Sequence, residues 1–146
     1  MNSRKQEASR WLRQAESDFA FLEVSRQARK YDTCCFLAQQ TAEKALKAYL
    51  FHRGEELIFT HSIFRLCEMA AKYDPGLGYL REQVKLLDLY YVEARYPNAL
   101  EDVIPAEFYS NRDAEQAVEM ARLVVEAARA RLETETPSGG EEGGPR

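Results

Sequence analysis

Apolar side chains recur every three or four residues along most of this chain, which is the spacing of amphipathic α-helices. The first such pattern runs from Ala8 to Leu22, and we predict a helix that ends near Lys30. A second helix is expected from Asp32, a suitable N-cap residue, to the break at Gly54. Its apolar face is rich in alanine, which would let a partner helix approach closely.

Two further helices follow from the same signals. Thr60 is the expected cap of a short third helix, which stops at Asp74 where an Asp-Pro-Gly turn begins. A fourth helix with a near-heptad seam is predicted from Leu77 to Ala94. The proline at position 97 forbids its continuation.

A loop is expected over residues 98–109, after which Ser110 and Asp113 have the spacing of a capping box and a fifth helix continues to Leu132. No alternating strand pattern and no repeat of solenoid length occur in the sequence. We therefore predict an all-α fold, an antiparallel bundle of about five helices over residues 1–133. Residues 134–146 are predicted to form a disordered tail, because their glycine-rich part has no apolar side chain.

The charge balance argues against a general nucleic-acid binder, since such proteins carry a basic excess. The 146-residue chain has a formal net charge of -4, and part of that charge lies in the predicted tail. The bundle is thus nearly neutral. Any anion site within it must be a local cluster of basic side chains.

Cysteine and histidine usage limits other chemistry. Cys34 and Cys35 are neighbours and Cys67 is distant, so we expect three reduced, buried thiols rather than a disulfide framework or a metal knuckle. Two histidines leave little material for a transition-metal site, and no metal is expected. No run of ~18 apolar residues occurs, so we expect a cytoplasmic protein that does not enter a membrane.

A polar stripe follows the second predicted helix at spacings of three and four residues. Its members are Gln40, Glu43, Lys44 and Lys47. One interpretation is a solvated face, in which Glu43 and Lys47 form an ordinary i, i+4 pair. The other is a groove that binds phosphate or a partner.

The two histidines are assigned different surroundings. His61 follows Thr60 at the start of the third helix, where it either caps and packs or titrates near neutral pH in a functional site. His52 precedes Arg53 and Gly54, and we expect it to be exposed at a helix end.

Arg95 and Tyr96 form the most specific candidate pair. A guanidinium can bind phosphate with two parallel hydrogen bonds, and a tyrosine offers a stacking face and a hydroxyl. Both residues precede Pro97, which places them at a helix end. The structural alternative is that Arg95 only neutralises the helix C-terminus while Tyr96 packs the loop.

Three segments of the chain resemble the HEPN family of small helical bundles. They are Phe-Leu-Ala-Gln-Gln-Thr-Ala-Glu-Lys-Ala-Leu-Lys-Ala-Tyr-Leu at residues 36–50, Thr-His-Ser-Ile at 60–63 and Ala-Arg-Tyr-Pro at 94–97. The resemblance covers roughly residues 5–133. It implies a bundle that dimerises and that acts beside a nucleotidyltransferase, as a nucleotide-binding module, or as an RNA-cutting toxin.

The same resemblance also argues against one of these functions, the cleavage of RNA. HEPN ribonucleases pair an arginine with a histidine across four to six intervening residues, and the positions that follow Arg95 at this spacing are Leu100, Glu101 and Asp102. None of these side chains can replace an imidazole as an acid and base near neutral pH. A standard ribonuclease mechanism is not expected unless His61 or a partner chain supplies the missing group.

The resemblance therefore implies a homodimeric accessory subunit, like the substrate-binding subunits of nucleotidyltransferases, that is non-catalytic or weakly catalytic and acts with a separate minimal nucleotidyltransferase. Arg95, Tyr96, Gln40, Lys44 and Lys47 would bind a nucleotide or its phosphate, and no cofactor is expected. The second or fourth helix would form the dimer interface. Two alternatives stay open: a degenerate HEPN ribonuclease, with RNA as its substrate, and an interaction scaffold without a small ligand.

Overall fold

The computed structural model describes residues 3–135, and within that range the chain is helical and has no β-strand. Six α-helices follow one another: α1 Ser3–Gln27, α2 Tyr31–His52, α3 Ile63–Ala71, α4 Gly76–Val84, α5 Pro105–Phe108 and α6 Asn111–Thr134. The predicted all-α bundle is confirmed. Most of the predicted tail lies outside the described residues, and α6 reaches Thr134, its first position.

Helix α2 is the centre of the bundle and packs against both α1 and α6. Its alanine face lies in these contacts, and Ala38, Ala42, Ala45 and Ala48 are fully buried. Small side chains allow the helix backbones to approach closely, and the surrounding leucines fill the remaining space. Because α2 is covered in this way, it offers little free surface to a second subunit.

The long helices run in directions that their end contacts define. Three residues join α1 to α2, so these helices are antiparallel. Arg26 near this connection donates a hydrogen bond to Asn111 at the start of α6, and the Nε2 atom of His52 contacts the carbonyl oxygen of Glu135 just beyond the end of α6. Helix α6 therefore runs parallel to α2, and the segment from α3 to α5 makes the return.

The predicted fourth helix is wrong in its second half. The α-helix ends at Val84, a 3-10 helix continues over Lys85–Tyr90, and residues 91–95 form turns. The cause is a contact that periodicity does not encode: the Asp88 carboxylate accepts hydrogen bonds from the backbone amides of Ile63 (2.5 Å) and Phe64 (3.1 Å). By holding the first turn of α3, Asp88 fixes the path of its own segment.

Other helix boundaries differ from the sequence prediction by a few residues. Asp32 lies in the first turn of α2 rather than at its cap. Ser62, not Thr60, caps α3 by accepting a hydrogen bond from the amide of Arg65. The predicted Ser110 capping box is confirmed, while the predicted loop over residues 98–109 contains a 3-10 turn and the single-turn helix α5.

Two predictions about buried groups have opposite outcomes. All three cysteines are reduced and buried as predicted, and burial raises the pKa of the Cys67 thiol to about 12. The prediction for His52 is wrong, since only 2% of its surface is exposed. Its Nε2 atom lies 3.0 Å from the Glu135 carbonyl oxygen, so the end of α6 covers this histidine.

Candidate functional site

The polar stripe of α2 is partly buried, contrary to its interpretation as a solvated face. The side chains of Glu43 and Lys47 are only 9% and 7% exposed, and the Nζ atom of Lys47 lies 2.8 Å from Oε2 of Glu43. A buried carboxylate needs such a partner to stay ionised. The i, i+4 pair is therefore confirmed, but as an interior ion pair.

His61 is held by two side chains of α2. Its Nδ1 atom lies 2.9 Å from Oε2 of Glu43, and its backbone oxygen accepts a 2.9 Å hydrogen bond from the side-chain amide of Gln39. An ionised carboxylate only accepts hydrogen bonds, so Nδ1 carries a hydrogen and donates it to Glu43. The Nε2 atom is the remaining ring nitrogen, on a side chain that is 53% exposed.

The imidazole of His61 stacks on the ring of Tyr91. The two ring centroids are 4.9 Å apart and the ring planes differ by 15°. The guanidinium carbon of Arg95 lies 4.8 Å from the same tyrosine centroid. Tyr91 therefore connects the two candidate residues that the sequence treats as separate motifs.

Arg95 is surrounded by aromatic rings rather than by carboxylates. Its guanidinium carbon lies 4.4 Å from the ring centroid of Phe36 and 5.0 Å from that of Tyr96. Its Nε atom donates a 2.7 Å hydrogen bond to the Tyr91 carbonyl oxygen. Within residues 3–135 it forms no salt bridge, so this exposed cation is both positioned and available to an anion.

The two lysines of the stripe already have counter-charges. The Nζ atom of Lys44 lies 2.5 Å from a carboxylate oxygen of Asp18 on α1, and Lys47 pairs with Glu43. Gln40 is at the margin of the site, where it donates a hydrogen bond to the side chain of Gln39. The positive charge available in this region is therefore centred on Arg95.

Asp88 holds together the two chain segments that form the site. Its carboxylate accepts hydrogen bonds from the Ser62 hydroxyl and from the first amides of α3. Ser62 directly follows His61, and Asp88 lies one turn before Tyr91. The carboxylate therefore ties together the two segments whose rings stack.

The structure brings Arg95, Tyr96, His61 and Glu43 into one cluster and leaves Gln40, Lys44 and Lys47 at or beyond its edge. Sequence reasoning missed four contributors, which are Phe36, Gln39, Asp88 and Tyr91. Gln39 had a signal, because it precedes Glu43 by four residues and shares its face of α2. Tyr91 had one too, because it precedes Arg95 by four residues, although its contact with His61 is tertiary. Phe36 and Asp88 act through tertiary contacts that no sequence spacing indicates.

The HEPN domain model matches residues 8–131 of the chain. This protein belongs to the HEPN family. TT1696 from Thermus thermophilus is similar in structure, with a TM-score of 0.79, 32% identity, and coverage of 85% of this chain and 97% of TT1696. The archaeal HEPN homologue ST0689 is similar with a TM-score of 0.71, 30% identity, and coverage of 86% and 97%. No curated protein sequence matches the chain significantly.

Metal-ligand groups and membrane-spanning helices are both absent from the described residues. Across the described residues, no group of three or more His, Cys, Asp or Glu side chains has the arrangement of a metal site. None of the helices over residues 3–135 has the length and apolarity required to span a membrane. The imidazole that shares the ring of Tyr91 with Arg95 is that of His61, which lies in the α2–α3 connection.

Proposed function

We propose that this HEPN protein binds a nucleotide through its phosphate at Arg95 and acts as an accessory subunit beside a separate minimal nucleotidyltransferase. The observation that carries the proposal is the state of Arg95: three aromatic rings and a backbone carbonyl hold its guanidinium, and no carboxylate within residues 3–135 neutralises it. Cation–π contacts at exposed sites contribute about 0.5–1 kcal/mol each. The guanidinium of Arg95 is thus preorganised to bind a phosphate.

The aromatic surroundings favour a nucleotide over free phosphate. Tyr96 is 48% exposed beside the guanidinium, and a nucleobase can stack on such a ring. Stacking on an aromatic side chain contributes about 1–3 kcal/mol per base. A ligand with a base and a phosphate would therefore use both parts of the site.

The accessory role predicts interfaces close to this site. In the 3-10 segment Leu86 and Leu89 lie three residues apart and hence on one side, and Val92 continues the apolar line beyond it. These side chains are 55%, 52% and 48% exposed. We propose this line, rather than the covered helix α2, as the homodimer contact.

Calorimetry tests the binding proposal. We expect wild type to bind AMP and ATP, and Arg95→Ala to weaken binding about tenfold or more, since a hydrogen bond to a charged group contributes about 1.5–3 kcal/mol. Arg13→Ala is the matched control, because Arg13 is an exposed arginine of α1, which is not one of the segments that carry the cluster. Equal affinity of wild type and Arg95→Ala would refute the site.

Affinity capture from the native cytoplasm tests the accessory role. A small nucleotidyltransferase recovered with the bundle at near-equal stoichiometry would support it. Recovery of the bundle alone would count against it.

A second candidate is a ribonuclease with a rearranged histidine. One observation favours it: Glu43 holds Nδ1 of His61, and this imidazole shares the ring of Tyr91 with Arg95. An imidazole oriented by a carboxylate is a common acid–base arrangement. Cleavage of RNA by the purified protein, lost in both His61→Ala and Arg95→Ala, would establish this candidate over the accessory role.

A further inference from the structure

The connection between α2 and α3 is an extended segment that returns along α2. It leaves the helix after His52, and the backbone oxygen of His61 accepts a hydrogen bond from the side chain of Gln39. An α-helix rises about 1.5 Å per residue, so the segment returns about 20 Å from His52 to the level of Gln39. Residues 55–61 reach at most about 23 Å when fully extended. The segment must therefore be largely extended, and none of its residues is helical.

The side chains of this segment alternate between the core and the surface, as in a β-strand. Ile58 packs against the hydrophobic core, and Thr60 is partly buried. Leu57 and Phe59, on either side of Ile58, are 75% and 79% exposed. Two large apolar side chains therefore lie together on the outward side of the segment.

The backbone of residues 56–60, which we call the edge segment, has unused hydrogen-bonding groups. Within residues 3–135, the amides and carbonyls of the edge segment form no hydrogen bond with other parts of the chain. Free groups on an extended chain can pair with another extended chain, and proteins often block such edges with proline or lysine. Neither residue type occurs over residues 55–62. The edge segment is therefore suited to accept a strand from a partner.

The rest of the chain does not provide that strand. Residues 136–146 contain no large apolar side chain that could cover Leu57 and Phe59. The homodimer contact proposed above uses a different apolar line, on the 3-10 segment and just beyond it. The occupant of the edge segment is therefore expected to be a different protein.

The position of the edge segment indicates which protein this is. The segment leads into His61, whose ring stacks on Tyr91, and Tyr91 also contacts the Arg95 guanidinium. A protein paired with the edge segment would therefore lie beside the proposed nucleotide site. This is the place that a nucleotidyltransferase must occupy if the HEPN subunit presents a nucleotide to it.

We infer that the edge segment is the docking site for the nucleotidyltransferase partner, which adds an extended apolar strand to it by backbone pairing. The inference rests on the proposed accessory role and names the surface on which that role depends. Backbone hydrogen bonds supply affinity in this mode, and Leu57 and Phe59 select apolar side chains at every second position of the added strand. The carboxylates of Glu55 and Glu56 at the start of the segment favour a basic residue beside it.

Titration of the full-length protein with its partner tests the surface. The probe is the small nucleotidyltransferase that affinity capture recovers with wild type, identified by mass spectrometry and purified. We expect Leu57→Asp and Phe59→Asp each to raise its dissociation constant about tenfold or more, because docking would bury a carboxylate without a partner. Tyr79→Asp is the matched control, since it introduces the same charge at a 79% exposed position of α4, and it should bind like wild type. Circular dichroism should show all three variants folded.

Hydrogen exchange followed by mass spectrometry tests the backbone pairing itself. In the protein alone, the amides of the edge segment should exchange rapidly. In the complex every second amide should be protected, because one side of an extended chain presents alternate residues. Unchanged exchange in the complex would show that pairing does not occur. Protection in the protein alone would show that a second copy occupies the edge segment, and this result too would overturn the inference.

The outcomes separate this inference from the function on which it rests. If wild type, Leu57→Asp and Phe59→Asp bind the nucleotidyltransferase equally, the docking site is wrong while the accessory role stands. If wild type recovers no nucleotidyltransferase, both fail, and nucleotide binding at Arg95 is decided by its own calorimetry.

Discussion

His61 stacks on Tyr91 with ring centroids 4.9 Å apart, although the two residues belong to different segments of the chain. Each ring is also tied to a second group: Glu43 hydrogen-bonds the imidazole, and the Arg95 guanidinium lies against the tyrosine. This row of contacts runs from the interior of α2 to an exposed cation. A substitution of Glu43, at the buried end of this row, should therefore change the position of Arg95.

Asp88→Ala should loosen this arrangement without touching a ligand. The change removes the acceptor for two amides at the start of α3 and for the Ser62 hydroxyl. Loss of a helix-capping side chain costs about 0.5–2 kcal/mol, and we expect the free energy of unfolding to fall by that amount. Urea unfolding measures it, and calorimetry should show weaker AMP binding because His61 and Tyr91 are no longer held together.

A control variant distinguishes the loss of the cap from the loss of a negative charge in general. Glu101→Ala removes an exposed carboxylate in the segment that follows Arg95. Its free energy of unfolding should stay within about 0.5 kcal/mol of wild type. If Asp88→Ala were as stable as this control, the capping role would be disproved.

The buried Glu43–Lys47 pair should respond very differently to one substitution and to two. Glu43→Leu leaves the Lys47 ammonium buried without its carboxylate, and breaking such a pair costs about 3–5 kcal/mol. Replacing both residues, Glu43→Leu with Lys47→Met, removes the unpaired charge and should recover most of that loss. Denaturant unfolding of wild type, the two single variants and the double variant measures the difference.

A free energy of unfolding for the double variant as low as that for Glu43→Leu would show that the pair does more than balance charge.

Much of the fold follows from sequence periodicity because burial imposes it. Leu80, Val84 and Leu87 are buried at the predicted seam positions even where the α-helix has become a 3-10 helix. The change of helix type could not be predicted, because it depends on the contact of Asp88 with α3. Burial is a local property of the pattern, whereas that contact joins distant segments.

The site was predictable in its residue types but not in its assembly. Arg95 stands out because a guanidinium before a tyrosine and a proline suits phosphate binding. Nothing in its spacing from His61 indicates that Tyr91 joins them. The sequence is compatible with Glu43 on a solvated face or in a binding groove, since charged stripes are usually solvated, and only the packing of α2 shows that this side chain lies in the interior.

Mild acid should weaken the fold through His52. Burial lowers the pKa of this imidazole below its ordinary value of 6.5. The unfolded chain then binds more protons than the folded chain just below that pH, so the stability present above it is lost as the pH falls. Asp74 titrates lower, since Arg131 holds the pKa of its carboxyl below the ordinary 3.8.

The matched measurement compares wild type with His52→Gln by urea unfolding between about pH 7.5 and pH 5. Wild type should be the more stable protein at the upper end, and the difference in unfolding free energy should shrink as the pH falls. A difference that stayed constant across this range would mean that His52 does not contribute to the pH dependence.

Leu89→Asp should separate the proposed homodimer. Leu89 is at the centre of the apolar line Leu86, Leu89 and Val92, and it is 52% exposed in the single chain. At a two-fold contact each substitution appears twice, so the change would bury two carboxylates without partners. Sedimentation velocity should find wild type as a dimer and Leu89→Asp as a monomer at the same concentration. Tyr79→Ser, at a 79% exposed position of α4 outside the line, should remain dimeric, and a monomeric wild type or a dimeric Leu89→Asp would exclude this contact.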